Sequence, residues 1–318
     1  MIVQNQPTDV LSDVFETIRA EARCSISLTA GGTWGVAFPM PSHIKVNVVR
    51  KGRCWLRVEG EAPVDLTVGD CVVVAGSPFI LSSEPDGPTV SARDVFASDG
   101  MAAMVGKGED FSILGGSVEV DPVDGALLTG ALPPVMTIKG TDASSIAWLL
   151  EELDREWNSA APGARLMSND LLRLIFVRVL RLYLMSSDEP SKTWLSALAD
   201  PHMARALQAL HGDPARRWTV ADLAHEAGQS RSAFAARFKS LLGEAPLEYL
   251  TGWRMRLAAA SLRTTRASIP EIAQRVGYMT DSAMSAAFRR VHGMSPARYR
   301  NAFGRSPTAA DQAPGIGA

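Results

Sequence analysis

Trp218-Thr-Val-Ala-Asp-Leu-Ala-His-Glu-Ala-Gly228-Gln-Ser-Arg-Ser-Ala-Phe234-Ala-Ala-Arg-Phe238 is echoed further along the chain by Ser268-Ile-Pro-Glu-Ile-Ala-Gln-Arg-Val-Gly277-Tyr-Met-Thr-Asp-Ser-Ala-Met284-Ser-Ala-Ala-Phe288. Phe238 and Phe288 stand 50 positions apart, and so do Gly243 and Gly293, Pro246 and Pro296, and Tyr249 and Tyr299. Markers repeated in register at this density are hard to reach by chance. Each copy reads as a short helix, a glycine turn and a second helix. That is the pattern of modules that lay their second helix in the major groove of DNA.

Capping chemistry sharpens the reading. Asp200-Pro201 pairs a cap with proline at the first helical position. Thr219, Ser230 and Thr280 are N-caps, Ser268-x-x-Glu271 is a capping box, and Pro246 and Pro296 open helices. Phe234, Phe238 and Leu241 make the buried stripe of one second helix, and Met284, Phe288 and Val291 that of the other. The opposite faces offer Ser230, Arg231, Ser232, Ala235, Ala236, Arg237 and Lys239 in the first copy. The second copy offers Thr280, Asp281, Ser282, Ser285, Ala286, Arg289 and Arg290. A helix of about 19 residues joins the copies and spans roughly 28 Å at 1.5 Å per residue. One face of B-DNA returns about every 34 Å, so the strut suits two helices in neighbouring groove segments.

Charge divides the same way. The 318 residues carry a net −2, yet residues 195–318 hold 16 Lys and Arg against 9 Asp and Glu, a balance of +7. Residues 1–194 balance at −9, from 16 against 25. A basic end beside an acidic one fits a polyanion partner for one end alone, here double-stranded DNA. Cys24, Cys54 and Cys71 are far apart with no Cys-x-x-Cys, which argues against a disulfide framework or zinc site and for a reducing cytoplasm. No segment reads as a signal peptide or a membrane span, so no membrane partner is expected.

Residues 9–22 read as an amphipathic helix. From about Cys24 to Leu132 short apolar runs alternate with turns: Ile44–Val49, Cys54–Val58, Leu66–Val68 and Cys71–Val74, with Lys51-Gly52 and Val68-Gly69-Asp70 between them. Many short strands predict a sandwich or barrel. Leu132-Pro133-Pro134 closes that region. Helices follow at 144–157, with Ile146, Leu149, Leu150, Leu153 and Trp157 on one face, and at 171–184. The second is apolar on most sides and needs cover from the barrel or from a second copy in a homodimer. The fold class is therefore α+β multidomain: an N-terminal β-barrel or sandwich over 1–135, a helical linker with a possible dimerisation role over 136–195, an all-α double helix-turn-helix domain over 196–303, and a disordered tail over 304–318.

Gly277-Tyr-Met-Thr-Asp-Ser-Ala-Met-Ser-Ala-Ala-Phe-Arg-Arg-Val-His-Gly-Met-Ser-Pro-Ala-Arg-Tyr-Arg300 resembles the signature of the AraC-type (AraC/XylS) transcriptional regulators. Ser230–Phe238, Gly243-Glu-Ala-Pro-Leu-Glu-Tyr-Leu and Trp253-Arg-Met match the first unit of that family. The front two-thirds are similar to the cupin-type sensor domain of one of its branches, through Gly52-Arg-Cys-Trp-Leu-Arg, Val68-Gly69-Asp70 and Leu132-Pro-Pro. The resemblance implies a sequence-specific DNA-binding transcription regulator whose barrel senses a small effector or an oxidant. Trp34, Phe38, His43, Trp55 and Phe79 are the expected lining of an effector pocket, and Cys24 is the expected redox residue. The chain departs from the family at Ala236 and Ala286, where members commonly carry an arginine that reaches base edges. Met284 also replaces the usual phenylalanine.

Catalysis is not expected. Five histidines, His43, His202, His211, His225 and His292, place only one imidazole in the strand-rich region, and a facial metal site needs more. Neither a metal nor another cofactor is therefore expected. Val105-Gly106-Lys107-Gly108 lacks the spacing and the Ser/Thr of a phosphate loop, and no nucleophile elbow occurs. The alternatives are a cupin-type metal enzyme fused to a DNA-binding domain, and a helical protein-interaction module without a DNA role.

Overall fold

The computed structural model describes residues 8–96, 102–121, 124–139, 146–186 and 193–304. Two compact units form. One gathers the described residues of Arg19–Ala199, the other those of Met1–Ile18 and Asp200–Ala318. The first helix, α1 (Val10–Thr17), thus belongs with the C-terminal unit although it precedes the first strand. It is capped by Asp9, whose carboxylate accepts from the amides of Leu11 and Ser12.

Alternating burial builds the front unit. Its strands are β1 (Glu21–Gly31), β2 (Gly35–Phe38), β3 (Ile44–Lys51), β4 (Arg53–Val58), β5 (Val64–Thr67), β6 (Cys71–Val74), β7 (Phe79–Ser82), β8 (Val90–Ser91), β9 (Ala102–Gly106), β10 (Phe111–Glu119) and β11 (Val135–Ile138). They form a six-stranded sheet ordered β11-β6-β3-β10-β1-β9 and a five-stranded sheet ordered β5-β4-β7-β2-β8. The inner faces of both contribute to one core that includes Leu28, Val36, Val49, Leu56, Phe79 and Phe111. Gly52 takes φ +76 between β3 and β4, and Gly69 takes φ +86 between β5 and β6, as turns of this kind require. Asp70 anchors the second turn, since its carboxylate accepts from the Thr67 amide and from Lys139 Nζ, each at 2.9 Å.

Helices α2 (Ala92–Val95), α3 (Ala126–Thr129), α4 (Ala147–Trp157), α5 (Ala164–Ser186) and α6 (Trp194–Ala197) belong to the same unit. Leu171, Leu172, Ile175, Phe176, Val179 and Leu180 of α5 are buried. The six-stranded sheet and α4 supply the cover. At Gly116 a side chain would collide with Leu172 Cδ2, so α5 lies close on β10. This moves the first boundary well past 135, and 136–195 is not a free linker. Leu166 and Leu174, on the outer side of α5, remain exposed. The expected start of the helix at 144 lies outside the described residues, as does the tail beyond Gly304.

The C-terminal unit continues with α7 (Pro201–Gly212), α8 (Val220–Glu226), α9 (Arg231–Leu242), α10 (Pro246–Thr264), α11 (Ile269–Arg275), α12 (Asp281–His292) and α13 (Pro296–Phe303). The expected caps are all made: Asp200, Thr219, Ser230, Ser268 and Thr280 each accept from a first-turn amide. Pro246 and Pro296 occupy first turns. Gly243 and Gly293 end α9 and α12 in the left-handed region, at φ +81 and +72.

Candidate nucleic-acid interface and barrel cavity

The repeat seen in the chain is a repeat in space. Phe238 meets Tyr249 edge-on at 5.8 Å and 78°, and Phe288 meets Tyr299 edge-on at 5.2 Å and 82°. Such edge-to-face pairs fix the second helix of each copy against the helix that follows it. Phe234, Phe238, Met284 and Phe288 are fully buried. The register slips by one residue inside the turns. Gln229 N donates to Ala224 O at 2.9 Å, and its counterpart 49 positions on, Tyr278 N, donates to Ala273 O at 2.8 Å. The extra residue lies between Gly277 and the cap Thr280, and Gly277 itself, at φ +81, is held so close to the Ala215 backbone that any side chain there would strike it.

Two stripe residues depart from expectation. Leu241 is only half-buried and Val291 is exposed. His292, four residues beyond Phe288, swings back over that ring at 4.3 Å and closes the core in place of Val291. Ala287 is buried instead.

On the opposite faces Ser230, Arg231, Ser232, Ala236, Arg237 and Lys239 of the first copy are exposed, and Ala235 is half-buried. In the second copy Thr280, Asp281, Ser282, Ala286, Arg289 and Arg290 are exposed, and Ser285 is half-buried. Several have local duties. The Ser230 and Thr280 hydroxyls accept from Ala233 N and Ala283 N at 3.4 and 3.2 Å. Asp281 accepts from its neighbour Ser282 N at 2.8 Å. Arg237 turns toward the cap of α7, its Nε donating to Asp200 Oδ2 at 2.7 Å. Burial raises the affinity of Asp200 for a proton, but Arg237 and the amides of Met203 and His202 outweigh it and hold the carboxyl below its usual range. Arg237 is thereby the least available of the basic residues named from the sequence.

Sequence reasoning missed the residue that ties the copies together. Arg254, on α10, donates through Nε to Pro214 O at 2.6 Å and through Nη2 to Arg216 O at 2.8 Å. Its guanidinium also lies 5.8 Å from the Tyr278 ring of the second turn. A basic residue amid an apolar helical face was the available signal.

In the front unit a cavity of about 320 Å³ lies at one end of the barrel. Phe38 and Phe79 line it, stacked at 4.6 Å and 7°. Trp34 does not line it: it is packed in the core on Phe111 at 4.7 Å. Trp55 does not line it either, because Cys54, Leu56 and Val58 take the inward positions of β4 and leave Trp55 half-exposed under Arg53. His43 sits in the loop before β3, off the cavity. The lining the sequence did not disclose is Lys45, Asn47, Ile26 and Phe96. Cys24 hydrogen-bonds through Sγ to Ser168 O at 3.4 Å, and burial pushes its thiol up to about 12, far from the thiolate a redox sensor needs. Among the described residues no three of His, Cys, Asp and Glu are grouped to hold a metal ion, and no helix is long and apolar enough to cross a membrane.

Residues 9–185 match the Cupin family and residues 223–302 a helix-turn-helix domain family. An AraC-like transcription regulator of Streptomyces lividans is 42% identical over 92% of this chain and 98% of its own length. The HTH-type transcriptional regulator AlkR of Acinetobacter baylyi is 27% identical over 92% of this chain and 99% of its own. Among solved structures, the DNA-binding domain of AdpA in complex with a target DNA is 38% identical, covering 33% of this chain and 93% of that one, with a TM-score of 0.31.

Proposed function

We propose, for a chain that belongs to the AraC-like transcription regulators, how its two helix-turn-helix copies divide the work and what its cupin half contributes. As a member of that family it is a DNA-binding transcription regulator. Helices α9 and α12 enter neighbouring major-groove segments. Arg231, Lys239, Arg289 and Arg290 bind phosphates. Ser232, Ser282 and Ser285 give weaker base contacts, since Ala236 and Ala286 offer no hydrogen bond to a base. Arg237 holds α9 on α7 through Asp200 instead of reading DNA. The barrel acts as a sensor that takes a small effector and does no chemistry on it. The observation that carries the reading is the two-sidedness of both second helices, one side locked by Phe238 and Phe288, the other basic and exposed.

Binding to the DNA upstream of the chain's own gene, followed by fluorescence anisotropy over a salt series, tests it. Affinity falls steeply with salt, and replacing Lys239 or Arg289 by Ala lowers the slope of log K against log[salt] by about 1 each. Unchanged slope and affinity in both variants would overturn the docking.

A further inference from the structure

The strand β3 is buried on both faces, yet it carries two polar residues on the inner one. Lys45 and Asn47 share a face with the core residue Val49, because side chains alternate along a strand. Asn47 is 3% exposed, and its Nδ2 has no hydrogen-bond partner. A buried amide left without a partner is costly, about 1–3 kcal/mol, and such a group calls for an explanation. Packing holds it in place. Asn47, Gly115 and Ile26 form one row across β3, β10 and β1, and a Cβ on Gly115 would come within 2.7 Å of Asn47 Oδ1 and 2.8 Å of Ile26 Cγ1. Both residues therefore lean over a position that only glycine fits, and both line the cavity.

Lys45 adds a charge. Burial pushes its ammonium below the ordinary lysine value, against the pull of Glu119, and that carboxylate is itself paired with Arg23 at 3.1 Å. Arg93, on the rim, gives a second and exposed positive group. The rest of the lining is mostly apolar. Phe38 and Phe79 lie parallel, and Phe96 meets Phe38 at 6.3 Å and 44°.

These features select a ligand. A neutral apolar molecule would leave the Asn47 donor unanswered and the Lys45 ammonium with only Glu119, which Arg23 already shares, and sites built around buried polar groups discriminate strongly against such ligands. A phosphate wants several arginines or a helix N-terminus around its oxygens, and one amide, one ammonium and a rim arginine do not provide that. A monocarboxylate answers both inner groups. Ring walls favour an aromatic body through offset or edge-to-face contact. A volume of about 320 Å³ holds about ten non-hydrogen atoms at the ~30 Å³ that a water takes up.

We propose that this cavity binds an aromatic monocarboxylate of that size, its ring against Phe38, Phe79 and Phe96 and its carboxylate between the Lys45 ammonium and the Asn47 amide. The site stands on its own lining. Only its regulatory consequence rests on the sensor reading given above.

Titration calorimetry of the full chain with phenylacetate, phenylacetamide and octanoate is the test. Phenylacetate binds at least tenfold more tightly than either control. Lys45→Met and Asn47→Leu each lose tenfold or more of the phenylacetate affinity, and Lys45→Met, which removes the charge alone, loses little of the phenylacetamide affinity. Asn47→Leu replaces a partnerless donor by an apolar group of similar size, so its near-ultraviolet circular dichroism stays that of the parent and a lost fold does not explain lost binding. Three results would each overturn the proposal: no binding of phenylacetate, equal binding of acid and amide, or a preference for octanoate. Unaltered affinity in both variants overturns it too. Phenylacetate that binds as expected but leaves DNA affinity unchanged upholds the ligand site and sinks the sensor reading alone.

Discussion

Ala236 and Ala286 lie exposed on α9 and α12, two residues before the buried Phe238 and Phe288. In the docking proposed above, short side chains there end before the base edges and leave the neighbours only phosphate contacts or single hydroxyls. Restoring an arginine at 236 or 286 adds a fork that suits guanine O6 and N7, worth about 1–3 kcal/mol of discrimination. Ala236→Arg and Ala286→Arg therefore each create a preference of roughly five- to 150-fold for operators with guanine at one position, measured by binding selection on randomised sites; a flat profile in both variants refutes the assigned faces. Much at this scale was legible. The caps, the prolines and the left-handed glycines are local chemistry, and each was found where its residue type pointed. Trp55 was not, although the parity of Cys54-Trp55-Leu56 settles its side, because an aromatic residue in a strand fits either face until its neighbours are known to be core. Lys45 and Asn47 carried the opposite signal, polar residues interleaved with Ile44, Val46 and Val48, and only the cavity on their side of the sheet explains them.

At the scale of elements, the glycines of the repeat look alike in the chain and differ in their surroundings. Gly243 and Gly277 both lie at φ +81. Nothing stands within 4 Å of a Cβ at 243, whereas at 277 the backbone of Ala215 is in the way. Asparagine tolerates the left-handed region, so the two sites separate strain from collision. Gly243→Asn costs about 1 kcal/mol or less, while Gly277→Asn costs a further few kcal/mol and loosens the loop that Arg254 holds. Thermal melting ranks the pair, and equal losses would refute the close approach. The collision could not be read from the repeat, since it involves a loop 62 positions upstream whose course no local signal gives.

For the whole molecule, the order of barrel, helices and reading heads was legible because charge and periodicity change along the chain. The allegiance of α1 was not: an amphipathic helix announces that it needs a partner without saying which. Its partner is the C-terminal unit, where Asp13 Oδ2 lies 3.6 Å from Nδ1 of the buried His211 and the Thr17 carbonyl accepts from Arg263 Nη2 at 3.4 Å. His211 also meets the Tyr249 hydroxyl through Nε2 at 2.9 Å and stacks on Trp253 at 4.1 Å. Burial lowers its proton affinity, and the nearby carboxylate of Asp13 only partly offsets that. The folded state thus prefers a neutral imidazole, while the unfolded chain titrates at the ordinary value of about 6.5. Below that pH the unfolded chain binds the extra proton, so stability that is fully present above about 6.5 is lost as pH falls toward the lower folded value. Melting curves of the full chain at pH 8 and pH 5 therefore separate more for the parent than for His211→Gln, which stays uncharged and can still bond Tyr249. Were Asp13 to dominate instead, the imidazole would be held charged and the parent would gain stability relative to His211→Gln on acidification, and that opposite sign would refute the assignment.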